Sequence, residues 1–207
     1  MAIDLKKVPR AIYDFTQDWE DYRRAAPKAG ADLRSIRKAG LLTQSLRALA
    51  DSVQQFDAKF LLLQKLLEEL QRSSKPGYVN DAKKQGSELK TRSQDLLLAT
   101  KDASKLLKEV DRELLDIINE HYDRKTPASQ KTAETLRIGY QRILGPLRML
   151  LEQSDREFTR ISRELAQNLV DMDRAQAPQL DEDGIICPHC KRALSIKEAR
   201  KKMQARR

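Results

Sequence analysis

A seven-residue repeat of apolar side chains between positions 42 and 70 constrains the fold of this chain more than any other feature. One series recurs every seven residues, and a second series follows it at an offset of four residues: Leu42, Leu49, Phe56, Leu63 and Leu70 in the first, and Leu46, Val53, Phe60 and Leu67 in the second. This a/d heptad is typical of long helices that supercoil around neighbouring helices. It predicts a helix over residues 31–72, which "SSKPGY" at 73–78 ends because Pro and Gly interrupt helices.

A second long helix is expected over residues 79–124, with a cap near Asn80 or Asp81. Its heptad series consist of Leu89, Leu96, Ala103, Val110 and Ile117, and of Leu107 and Leu114 preceded by Ser93 and Thr100. The small and polar members indicate a thin core or a close approach of two backbones in the first half of this helix.

A third long helix is expected over residues 127–175, after a break at "RKTPAS" in which Thr126 is the cap and Pro127 occupies the first turn. Its apolar stripe consists of Leu136, Tyr140, Ile143, Leu147, Leu151, Phe158, Leu165 and Met172. Gly145-Pro146 falls inside this stripe, so we expect a kink there and not a stop.

The N-terminal residues 9–26 contain a shorter amphipathic pattern. Ile12, Phe15, Trp19 and Tyr22 recur at steps of three and four, which predicts one apolar face on a helix. "PKAG" at 27–30 ends it. We interpret this segment as a helix that docks on the body of the protein, and the alternative is an aromatic anchor for a membrane surface or a partner.

These patterns predict an all-α fold: an elongated antiparallel three-helix coiled-coil bundle with a short N-terminal helix, a small C-terminal Cys-x-x-Cys knuckle and a basic helix. Charged residues make up 34% of the chain and aromatic residues 5%, a composition that suits helices better than sheets. The predicted divisions are 1–30 (N-terminal helix and linker), 31–175 (bundle), 176–184 (acidic linker) and 185–207 (knuckle-like motif and tail). Spectrin-like repeats, membrane-curving crescent domains and secretion or phage scaffold proteins resemble this architecture, which specifies no function.

Both cysteines of the chain, Cys187 and Cys190, lie in "DEDGIICPHCKRAL" at 181–194. The Cys-Pro-His-Cys tetrad is identical to the active site of thioredoxin-fold disulfide oxidases, where a helix N-terminus stabilises the first thiolate. No βαβ pattern surrounds the tetrad here, which argues against a catalytic dithiol. Another alternative to a redox centre is that both cysteines are reduced and bind no ligand.

The same stretch resembles half of a zinc ribbon or knuckle, because two thiolates separated by two residues reach one tetrahedral metal ion. Lys191 stands where such knuckles usually have Gly. A structural zinc site needs four ligands, but His189 lies between the cysteines, where it normally points away from the metal. His121 lies near the C-terminal end of the second long helix, and we interpret it as a seam histidine or a helix-end cation. We therefore expect Zn²⁺ to be shared between two chains, a chemistry that resembles the zinc hook of coiled-coil proteins.

The tail beyond the cysteines concentrates the positive charge. Of the formal net charge of +9, residues 191–207 carry +7. Ser195 and Glu198 form a capping box for a short helix from Ile196. Anion or partner binding is expected at Lys191, Arg192, Lys197, Arg200, Lys201, Lys202, Arg206 and Arg207. The alternative is a solvated tail.

No glycine-rich phosphate loop, nucleophile elbow or other catalytic set is recognisable. We therefore expect a cytoplasmic, non-enzymatic scaffold or adaptor without a small-molecule substrate or a transmembrane segment. It would form a homo-oligomer or bind a protein partner. The alternatives are a nucleic-acid-binding accessory protein that uses the tail, a rod that binds membrane surfaces, and a thiol oxidoreductase.

Overall fold

The computed structural model describes residues 4–72, 76–176, 184–186 and 193–195. Four α-helices pack together, which confirms the predicted helical bundle: α1 (Lys7–Ala25), α2 (Ala39–Arg72), α3 (Pro76–Asp123) and α4 (Pro127–Gln176). Two short strands follow, β1 (Gly184–Ile186) and β2 (Ala193–Ser195). The chain divides into two compact units, Met1–Ala166 and Gln167–Arg207.

The short helix α1 docks through the face that the sequence predicts. Ile12, Phe15 and Trp19 are buried and Tyr22 is half-buried. The Phe15 and Trp19 rings stack with their centroids 6.4 Å apart. A 3₁₀ turn over Ala26–Ala29 ends the helix, and Gly30 follows with a φ of 87°, a conformation that glycine adopts without steric cost.

The connection between α1 and α2 differs from the prediction. The apolar spacing indicates a helix from residue 31, but α2 begins at Ala39. A 3₁₀ turn over Leu33–Ser35 precedes it, and the carboxylate of Asp32 accepts a hydrogen bond from the backbone N–H of Arg34 at 2.9 Å. Leu33 and Ile36 are nevertheless buried, so this segment contributes to the core without being an α-helix.

The heptad positions of α2 form its core face over most of the helix. The predicted residues from Leu42 to Phe56 are all buried, as is Leu63. Phe60, Leu67 and Leu70 are only half-buried. The coverage of this face therefore decreases toward the C-terminal end of α2.

Helices α2 and α3 run in opposite directions and approach each other closely. Lys59 Nζ lies 2.6 Å from Glu88 Oε1, and Lys38 Nζ lies 3.5 Å from Glu109 Oε2, so increasing residue numbers in one helix face decreasing numbers in the other. The small seam residues Ala82, Ser93, Thr100 and Ala103 are buried. Both buried hydroxyls donate to carbonyls of their own helix, Ser93 to Lys90 and Thr100 to Leu96.

The start of α3 differs from the prediction, whereas the predicted cap at the start of α4 is confirmed. The helix begins at Pro76 and not near Asn80 or Asp81, because proline fits a first turn, where its missing N–H needs no partner. At the other end Thr126 caps α4 as predicted: its Oγ1 accepts a hydrogen bond from the Ser129 backbone N–H at 3.2 Å.

Helix α4 continues without a stop at Pro146, and the kink expected there stays a prediction. Leu136, Leu147, Leu151, Phe158 and Leu165 are buried, and Tyr140, Ile143 and Met172 are half-buried. The helix also contributes core residues outside the predicted stripe, namely Ala133, Leu144, Ser154 and Ile161.

Candidate functional site

The two C-terminal strands form an antiparallel pair around the cysteine motif. Gly184 faces Ser195, Ile185 faces Leu194, and Ile186 faces Ala193. The connection between β1 and β2 is therefore the six residues 187–192, which begin with Cys187 and include Cys190. Strand pairing holds the chain that enters this connection next to the chain that leaves it.

The predicted metal and anion ligands themselves lie outside the described residues. These are the cysteines Cys187 and Cys190 and the basic residues Lys191, Arg192, Lys197, Arg200, Lys201, Lys202, Arg206 and Arg207. Their roles stay predictions. Within the described ranges, no three side chains of the His, Cys, Asp and Glu types come together as a metal site would require.

His121 is buried at the turn between α3 and α4, in agreement with its interpretation as a seam histidine. Its backbone carbonyl accepts a hydrogen bond from Ser129 Oγ at 2.6 Å, and its ring Nδ1 lies 3.2 Å from the same oxygen. Since the Ser129 proton points to the carbonyl, Nδ1 must be the donor in the second contact. The bonding ties the last turn of α3 to the first turn of α4.

Tyr22 fastens α1 to α4. Its hydroxyl donates to the Leu136 carbonyl at 2.8 Å, and its ring lies directly over Gly139. Burial raises the pKa of Tyr22 well above the ordinary value for tyrosine, because the phenolate would lose its hydration. The neutral phenol is therefore the form that holds the two helices together.

A polar cluster joins the outer parts of α3 and α4. Arg148 Nη2 donates to Asp111 Oδ2 at 2.9 Å. The phenol of Tyr140 lies beside this pair, and its pKa is raised, first by burial and then by the neighbouring carboxylate of Asp111. The pKa of Arg148 is also raised, first by the neighbouring Tyr140 and then by the charge of Asp111. The cluster is a charged tie between helices on the surface of the bundle.

A groove between α1 and α4 has a volume of about 390 Å³. Phe15, Ile143 and Pro146 contribute apolar surface to it, and Asp14 and Arg142 contribute opposite charges. The groove is open to solvent, so it is a feature of the surface and not an enclosed cavity.

The side of α3 that faces α2 is rich in acidic side chains, and the basic Arg92 on that side is paired with Glu88. Several carboxylates face α2: Glu88 accepts from Lys59, Glu109 pairs with Lys38, and Glu113 accepts the Arg37 backbone N–H at 3.1 Å. Asp95 lies in the groove between the two helices, beside Ser52 and Gln55 of α2. This side of α3 is consequently occupied by interactions within the bundle.

Positive side chains follow each other along the outer side of α3. Five of them are separated by intervals of eleven, four, three and four residues, which place their side chains on one face of the helix. We call these residues the basic stripe: Lys90, Lys101, Lys105, Lys108 and Arg112. Lys90 is half-buried and the other four are exposed. Among the described residues none of the five forms an ion pair. The net charge of the chain is concentrated in the tail, so the stripe is not visible in the charge of each segment. It is visible in the helical positions of the charged residues of α3.

Comparison with protein families, with characterised proteins and with solved structures finds no match to this chain. Across the described residues, no helix combines the length and the apolar character that crossing a bilayer requires.

Proposed function

We propose that this protein is a non-enzymatic helical scaffold or adaptor whose C-terminal Cys-x-x-Cys element binds Zn²⁺ and joins two chains. The observation that carries the proposal is the pairing of β1 with β2 on both sides of residues 187–192. Such a hairpin is how zinc ribbons present two thiolates separated by two residues to one metal ion. In this chain only Cys187 and Cys190 can act as thiolate ligands, so a second chain completes the four.

The helical unit supplies an extended coiled-coil surface in this proposal. Its interior consists mainly of leucine and alanine, with isoleucine, valine and aromatic side chains, and polar contacts such as that of Arg148 with Asp111 tie helices to each other. His121 is already engaged through Nδ1 with Ser129 inside the bundle, which supports ligation by cysteines alone.

Native mass spectrometry combined with metal analysis tests the proposal. We expect a dimer with one zinc ion per two chains, and we expect chelation to remove the metal and the dimer together. Replacement of both ligands, Cys187→Ser with Cys190→Ser, should abolish zinc binding and dimerisation while the helical circular dichroism stays unchanged. The matched control is His189→Asn, which should keep both. A metal-free monomer, or a dimer that survives chelation, would refute the shared zinc site.

The tail supports a second candidate function, binding of a nucleic acid, because it carries +7 of the net charge of +9. Contacts made by lysine and arginine to phosphates weaken steeply with salt. Charge reversal at Lys201, Lys202 and Arg206 should therefore abolish binding of a labelled duplex by the tail. Unchanged affinity in that variant would exclude the tail as the binding element.

A further inference from the structure

We propose that the basic stripe of α3 is a docking surface for the phosphate backbone of double-stranded nucleic acid. The stripe belongs to the helical unit and is separate in sequence from the cysteines and from the tail. The proposal therefore stands independently of the zinc-dependent assembly described above.

The unpaired charges of the stripe point to an external anion. Elsewhere on α3 the bundle supplies partners, as for Glu88 with Lys59 and for Asp111 with Arg148. Lys101, Lys105 and Lys108 instead stand one turn apart on the same face, where like charges repel each other and Asp102, at the edge of this face, offsets part of the repulsion. This repulsion opposes folding and is relieved when a polyanion lies along the helix.

The dimensions of the stripe match a duplex. From Lys90 to Arg112 the helix rises about 33 Å at about 1.5 Å per residue, which is close to one turn of B-form DNA. Helix α3 is packed against its neighbours and presents only its outer side, so it contacts the backbone and does not enter a groove. Backbone contacts position a protein on DNA without reading its sequence.

The side chains within the stripe favour a duplex over the other polyanions. Gln94 lies between Lys90 and Lys101 and offers amide donors of the kind that contact phosphates. No aromatic residue occurs between 79 and 120 to stack on the bases of a single strand. A helix that lies in a membrane surface needs an apolar face toward the lipid. Among the described residues of α3, only Leu98 is a strongly exposed large apolar side chain.

Fluorescence anisotropy of the full chain with a labelled 30-base-pair DNA duplex of mixed sequence, between 50 and 200 mM NaCl, tests the proposal. Five phosphate contacts contribute about −4.5 to the slope of log K against log salt, at about −0.9 per contact. This contribution alone corresponds to an affinity loss of roughly 500-fold over that range. The stripe variant replaces all five basic residues with glutamine: K90Q, K101Q, K105Q, K108Q and R112Q. It should lose affinity at 50 mM NaCl and have a slope shallower by about 4.5.

The matched control removes the same amount of charge from exposed lysine and arginine residues on other helices, with the changes K7Q, R10Q, K65Q, K131Q and R137Q. It should keep most of the affinity and change the slope by less than about 1. Helical circular dichroism verifies that both variants are folded.

Three outcomes would overturn the proposal: equal losses in the stripe variant and the control, no binding of the duplex by the wild-type chain at 50 mM NaCl, or stripe-dependent binding of phosphatidylserine vesicles without binding of the duplex. The tail variant with charge reversal at Lys201, Lys202 and Arg206 is measured in parallel. Because the two changes lie on separate elements, a loss confined to the tail variant would also reject the stripe.

Discussion

Replacement of Gly139 by alanine should destabilise the protein, although the same change usually stabilises a helix. A Cβ atom at residue 139 would lie 2.7 Å from Tyr22 Cδ2 and still closer to Cε2, so the ring would have to move. Movement of the ring would also disrupt the hydrogen bond from Tyr22 to the Leu136 carbonyl. Gly139 is thus the position where the helix gives up a side chain so that α1 can approach.

Two destabilising contributions and one stabilising contribution determine the size of this change in the free energy of unfolding. Overpacking costs about 1–3 kcal/mol. Loss of the hydrogen bond adds about 1 kcal/mol. The higher helix propensity of alanine offsets about 1 kcal/mol. We therefore expect Gly139→Ala to lower the free energy of unfolding by about 1–3 kcal/mol.

Urea denaturation followed by circular dichroism measures this change as a shift of the midpoint at an unchanged slope. A double-mutant cycle isolates the cause: in a Tyr22→Ala background the ring is absent, so Gly139→Ala should become stabilising by about 1 kcal/mol. Gly40→Ala is the control, because a Cβ atom there would meet nothing within 4 Å. If Gly139→Ala stabilises the wild-type chain, or costs as much without the ring as with it, the proposed clash is not what positions α1.

Three further predictions concern the turn between α3 and α4 and the pH dependence of stability. Thr126→Ala should lower the free energy of unfolding by about 1 kcal/mol because α4 loses its cap, whereas Thr135→Ala, at an exposed position inside the helix, should have little effect in the same urea experiment. Ser129→Ala should cost about 1–3 kcal/mol because it leaves the buried Nδ1 and carbonyl of His121 without partners; a change below about 0.5 kcal/mol would contradict the assigned hydrogen bonds. Since the pKa of Tyr22 is raised in the folded state, its contribution is complete below the unfolded pKa of about 10 and is lost as the pH rises above it, so alkaline denaturation should be less steep in Tyr22→Phe.

The heptads predict the helices well because burial follows the apolar face directly. In α3 the prediction shifts because a strict seven-residue spacing accumulates error. In α3 the pattern from Leu89 places Ile117 in the core, but Ile117 is half-buried and Ile118 is buried. A straight helix drifts by about 20° per heptad, which over four heptads approaches the angle between adjacent residues.

The connections are less predictable because local polar bonding competes with the apolar spacing. Leu33 and Ile36 stand at a helical interval and are buried, yet the side chain of Asp32 bonds the backbone at Arg34 and favours a 3₁₀ turn. Pro76 can either end a helix or begin one, and its sequence context does not decide between them.

The candidate sites divide in the same way. The spacing of Cys187 and Cys190 indicates zinc chemistry, but ligands from another chain cannot be read from one sequence. The basic stripe depends on which faces of α3 the bundle occupies. That information comes from packing, as in the contact of Glu88 with α2 and of Glu109 with Lys38 just before it.

The attachment of α1 to α4 has a consequence during synthesis. Tyr22 bonds a carbonyl 114 positions later in the chain, so α1 cannot find this partner until Leu136 has left the ribosome. At about 5–20 residues per second, that interval is roughly 6–23 s. Throughout it, α1 can already pack against α2, but Tyr22 is without its partner on α4. The bond between α1 and α4 therefore forms after α1 has paired with α2, as a late step in the closure of the bundle.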